Sequence, residues 1–69
     1  MKPQKTKDVM KFLRGLGWVY LRNGKGSHEI WGLPDGSQRA SIPAGHKEVT
    51  PGVLNQIEDA GVKLPREWR

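Results

Sequence analysis

Apolar side chains recur along this chain with two different periods, and the change of period marks its elements. Val9, Phe12, Leu13 and Leu16 follow helical spacing. Thr6 is a plausible N-cap for that helix, Asp8 suits its positive first turn, and Gly15 or Gly17 supplies the left-handed residue that ends it. Trp18-Val19-Tyr20-Leu21 is aromatic and β-branched, hence strand-like. Asn23-Gly24 is a hairpin signal that Lys25-Gly26 lengthens into a looser loop. Ser27 to Trp31 predicts a second strand, Leu33-Pro34-Asp35-Gly36 a tight turn, and Gln38 to Ile42 a third strand. Pro43, unable to donate a ladder hydrogen bond, stops it. Residues 44–49 then predict a loop. Thr50-Pro51 caps a second helix whose stripe is Val53, Leu54, Ile57 and Ala60, and Gly61 closes it.

The order α-β-β-β-α predicts an α+β fold: a three-stranded antiparallel meander with both helices on one face and the other face open. Val9, Phe12, Leu13, Leu16, Leu54 and Ile57 are expected inside. Trp18, Tyr20 and Trp31 could stack bases on the open face, but in so small a chain core positions are the expectation. In strand two, His28 and Ile30 share one parity, Glu29 and Trp31 the other. With Ile30 in the core, strict alternation would aim His28 inward, so either a bulge after Gly26 or a twist at the strand entrance must turn it to solvent.

Composition narrows the function. Sixty-nine residues that are 35 % apolar make one small domain, 1–69, with no room for a buried cofactor cavity, and no cofactor is expected. Cysteine is absent, which removes disulfides, thiolate metal sites and thiol nucleophiles. The longest apolar run, Trp18 to Leu21, falls far short of the ~20 residues that span a bilayer. A cytoplasmic protein without membrane association is expected. Net charge is +5, and it is lopsided. Residues 1–27 carry seven Lys and Arg against one acid; residues 28–69 carry five against six. A basic half of this kind attracts polyanions, nucleic acid first.

Candidate chemistry is sparse. His28 and His46 are the only side chains whose ordinary titration lies near neutral pH. His28 enters strand two behind Gly24-Lys25-Gly26-Ser27, where a phosphodiester could approach the backbone closely and meet an imidazole. The acids form no locally paired dyad. His28, His46, Glu29 and Glu48 have no tight ligand spacing, so no metal site is expected.

Lys25-Gly26-Ser27-His28, Pro34-Asp35-Gly36, Ile42-Pro43, Pro51-Gly52-Val53-Leu54 and Ala60-Gly61-Val62 occur in that order. The series resembles the HicA toxin family, small mRNA interferases of type II toxin–antitoxin modules, over residues 6–62. The resemblance implies a fold like the double-stranded-RNA-binding domain, metal-independent cleavage of mRNA, inhibition by a HicB-type antitoxin, and a catalytic histidine at His28. Some members also carry a histidine in the loop after the third strand, where His46 stands three residues beyond Pro43. The tail, 63–69, extends past the shared pattern, and Trp68 could fold back on the domain or fill a partner's groove.

On this reading one imidazole exchanges the proton of a 2′-hydroxyl that attacks the adjacent phosphorus. Arg22 and Lys25 offset phosphoryl charge, the N–H groups of Gly26 and Ser27 donate to it, and His46 or Lys47 is a second acid. Little base preference is expected. The same fold could instead be a non-catalytic RNA-binding module, or a basic partner-binding protein shaped for an acidic inhibitor.

Overall fold

A computed structural model describes residues 1–68 of the chain; Arg69 of the tail lies outside the described residues. The elements run β1 (Gln4–Lys5), α1 (Thr6–Gly15), β2 (Val19–Asn23), β3 (Glu29–Gly32), β4 (Arg39–Ile42), β5 (Glu48–Val49) and α2 (Pro51–Asp59), followed by a 3₁₀ turn at Arg66–Trp68. The antiparallel meander has the order β2-β3-β4. The expected α+β architecture of two helices on a three-stranded sheet is therefore present. One feature is additional: β1 and β5 form a two-stranded ribbon, Gln4 opposite Val49 and Lys5 opposite Glu48. The predicted loop 44–49 thus ends in a strand. Two-residue strands carry no periodicity to read, and this one exists only because the N-terminus lies beside it.

Both helices end in the same way. Gly17 and Gly61 take left-handed φ values of 95° and 112°. Each donates to a carbonyl three residues back (Arg14, Glu58), and the next residue donates to one five back: Trp18 to Leu13, Val62 to Ile57. These are Schellman closures, and their hydrophobic partners Trp18, Leu13, Val62 and Ile57 are all buried. The reversal explains a correction in α1. Leu16 was expected inside, yet it is 47 % exposed, because the helix stops at Gly15 and the reversed chain delivers Trp18 to the core instead. Phe12 is half-buried at the core's edge. Thr50 caps α2 as expected, its Oγ1 accepting from Val53 N–H at 3.4 Å with Pro51 in the first turn. The expected Thr6 cap is not made: Lys5 holds the cap position and Thr6 is the first helical residue.

Register decides which face of the sheet the helices cover. Ile42 is fully buried and pairs with Glu29, while Ala40 pairs with Trp31, so these four share the helical face. Ile30 pairs with Ser41 and Arg22 and belongs to the open face. The irregularity foreseen after Gly26 lies instead between Tyr20 and Arg22 of β2. Ile30 being outside, alternation turns His28 away from the helices without a twist. Trp18 is core at 1 % exposure and Trp31 packs on the core, but Tyr20 departs from expectation at 47 % exposed. It sits on the edge strand β2, meeting its cross-strand partner Trp31 edge-to-face at 6.1 Å, while α2 packs over β4 at the sheet's other edge. The tail folds back: Leu64 is buried, Trp68 meets Phe12 edge-to-face at 5.4 Å, and Lys2 N–H donates to the Trp68 carbonyl at 2.9 Å. Among the described residues no helix is long and apolar enough to cross a membrane.

Candidate active site

His28 stands at the mouth of β3 and is placed by its immediate neighbours. Its N–H donates to the Lys25 carbonyl at 3.0 Å, and its own carbonyl accepts from Gly24 N–H at 2.9 Å. The loop between β2 and β3 is therefore closed within a few residues of the imidazole. Among the described residues the N–H groups of Gly26 and Ser27 carry no backbone partner. Arg22 and Lys25 are exposed, Arg22 opposite Ile30 on the open face and Lys25 in the turn itself. Glu29 is no partner for His28: it lies on the helical face and accepts from Trp31 Nε1 at 2.8 Å.

His46 arrives by a longer route. Its N–H donates to the Pro43 carbonyl at 2.9 Å, which turns the chain out of β4. The turn is then held from the other end of the molecule. Thr6 Oγ1 donates to the His46 carbonyl at 2.6 Å, and Thr6 N–H donates to the Lys47 carbonyl at 2.9 Å. Thr6 is the buried polar residue of the described chain, 8 % exposed. Behind it, β5 pairs with β1 and plants Val49 in the core. Close approach completes the placement, since a Cβ added at Gly45 would lie 3.0 Å from the Cβ of Ser27.

The two arms bring His28 and His46 together, ring centroids 6.2 Å apart and planes inclined at 56°. Eighteen residues of sequence separate them. His28 is half-buried and His46 exposed, so the gap opens to solvent. An imidazole can donate or accept a proton, and two facing across such a gap can supply an acid and a base to one reacting group. Lys47 is exposed next to His46, on the flank away from Arg22 and Lys25 in sequence. No three His, Asp or Glu side chains among the described residues gather as a metal-ligand group.

Ser37 donates to the Asp35 carboxylate through its N–H at 2.9 Å and its Oγ at 2.7 Å, holding that carboxyl below its ordinary value. Thr6 and Gly45 are the residues that sequence reasoning missed. Thr6 reads as a helix cap and Gly45 as loop filler, and no local signal ties either to a histidine.

A family model described as the HicA toxin of bacterial toxin–antitoxin matches residues 6–62. No curated protein and no solved structure matches the chain.

Proposed function

The chain belongs to the HicA toxin family of bacterial toxin–antitoxin systems, and from that premise we propose that it is an endoribonuclease that cleaves mRNA between His28 and His46. The apposition of the two imidazoles at 6.2 Å carries this reading. Each can reach one oxygen of a shared phosphodiester through a hydrogen bond of about 2.6–3.2 Å. His28 takes the proton of the 2′-hydroxyl as that oxygen attacks phosphorus. His46, protonated, gives a proton to the departing 5′-oxygen. The P–O5′ bond breaks as the P–O2′ bond forms, leaving a 2′,3′-cyclic phosphate and a 5′-hydroxyl. The partnerless N–H groups of Gly26 and Ser27 donate to the non-bridging oxygens, and Arg22 and Lys25 offset their charge. RNA supplies its own nucleophile, so this chemistry calls for no metal or cofactor.

Family membership implies a cognate antitoxin. We infer an acidic partner of HicB type that covers His28 and the Arg22–Lys25 loop, since a basic surface associates fastest with an acidic one. The site acts on cytoplasmic mRNA once that partner is lost.

Single-turnover cleavage of RNA tests the reading. His28→Ala should lose roughly 10²–10⁴ in rate, His46→Ala a comparable factor, and the double variant little more than either, because the two act as a unit. RNA affinity should stay close to wild type, being set by lysine and arginine contacts to phosphate. EDTA should leave the rate unchanged, and melting curves show that each variant is folded. A folded His28→Ala protein that cleaves at the wild-type rate returns the chain to the class of non-catalytic RNA-binding modules.

A further inference from the structure

Beside His46 the surface opens into a groove of about 720 Å³ between α1 and the turn that follows β4, with none of Arg22, Lys25 and His28 in its lining. Half-buried Ala44 and the exposed edge of Met10, otherwise a core residue at 7 % exposure, give it apolar surface, and Lys7, Arg14 and Lys47 give it positive charge. Lys5 lines it too, but stands opposite Glu48 in the β1–β5 ribbon, so that pair offsets itself. Arg14, which lines the groove, donates from Nε to the Met10 carbonyl of its own helix at 3.4 Å. Lys7 and Arg14 lie two turns apart on α1, roughly 10 Å along its axis, with Lys11 and the single acid Asp8 on the same face.

We propose that this groove is a second RNA subsite, which holds a nucleotide flanking the scissile bond. It takes the base against Met10 and Ala44, and the phosphate on Lys7, Arg14 and Lys47. The inference rests on the reading of His28 and His46 as the cleavage centre, and continuity is its argument. A strand cut between two imidazoles must leave the centre in two directions. One runs over the loop at Arg22 and Lys25. The other passes His46, which is itself part of the groove wall. The lining of apolar surface edged by cations has the chemistry of a nucleotide: a flat apolar face joined to an anion. An acidic partner that covers His28 would satisfy the cations as well, but the apolar lining beside them is matched by the base of a nucleotide.

The test is binding, read apart from cleavage. A single-stranded RNA of about twelve nucleotides is titrated by fluorescence anisotropy into His28→Ala protein, with His28→Gln as the second background. Adding Lys7→Ala and Arg14→Ala should weaken binding about tenfold at 0.15 M salt and lower the slope of log K against log salt by about 1.4, two single-strand phosphate contacts. Lys63→Ala with Arg66→Ala, the same charge lost outside the groove, should change affinity less than twofold. RNA should shift the methyl resonances of Met10 and Ala44, and removing nucleotides from one end of the RNA alone should abolish those shifts. Affinity and slope equal to those of the Lys63/Arg66 control, or methyl resonances that RNA leaves unmoved, overturn the proposal. Loss of antitoxin binding with RNA affinity intact overturns it equally and gives the groove to the antitoxin. None of these outcomes touches the histidine pair, which stands or falls on cleavage by the unaltered chain and its loss in His28→Ala.

Discussion

The two arms that carry the histidines are built on different principles. The His28 arm is local. A five-residue loop closes on itself through two backbone hydrogen bonds, and the hairpin register beneath it fixes where the imidazole stands. The His46 arm is remote, hung from Thr6 forty residues away and from a ribbon made by the N-terminus. A local device is cheap in chain entropy and survives on its own hairpin. A remote one costs loop closure, and it holds only while the rest of the domain is folded. One imidazole of the pair is thus set by its neighbours, the other by the fold as a whole. Changes far from the gap can therefore misplace His46 and leave His28 untouched.

Thr6→Val breaks the remote arm with the largest expected effect. It keeps the shape of the side chain but leaves the His46 carbonyl without its donor, a loss of about 1–2 kcal/mol in stability by thermal or denaturant melts. RNA cleavage should fall about tenfold as the turn loosens, a 1 Å displacement being enough for such losses. Thr6→Ser should restore most of the rate. In a His46→Ala background, Thr6→Val should cost the rate nothing further, which a purely structural role for Thr6 would not produce. A tenfold loss that persists in that background would show that Thr6 acts elsewhere.

Gly45→Val probes the point where the two arms touch. A side chain there meets the Cβ of Ser27 at 3.0 Å, tighter than nearly all such contacts, so the His46 turn and the Ser27 loop are pushed apart. Cleavage should drop a few-fold, roughly 0.5–1 kcal/mol in barrier, with the melting temperature nearly unchanged because residue 45 is exposed. Nuclear Overhauser contacts between the two imidazoles should weaken in parallel. Retained contacts together with lost activity would separate proximity from catalysis.

The smallest effect should come from the turn at Asp35, and it serves as the control for both arms. Ser37→Ala removes one of the two donors that hold the Asp35 carboxyl low, so its titration should move back toward the ordinary value, read by NMR. The sign follows from the depressed value. The stabilisation is present above the unfolded-state pKa and fades as pH falls through the lower, folded one, so the variant should differ from wild type only in acid. Cleavage near neutral pH should not change. A loss there would tie the β3–β4 turn to the site.

Helix periods, proline and glycine punctuation and the basic N-terminal half were sufficient for the sequence to determine the α-β-β-β-α order, the nature of both helix ends and the candidacy of His28. Each of these is a short-range property: capping, alternation and turn formation act over three to five residues, where spacing alone carries the information. Three matters were decided only by the tertiary structure. The parity of Ile30 depended on where β2 slips against β3, a bulge that no residue type announces. The exposure of Leu16 depended on a reversal that substituted Trp18 for it in the core. The meeting of His28 with His46 depended on a buried hydroxyl of Thr6, a glycine pressed on Ser27 and a two-residue strand borrowed by the N-terminus. Long-range contacts of this kind are chosen by burial and hydrogen-bond satisfaction across the whole domain, and a residue's neighbours in sequence are silent about its neighbours in space.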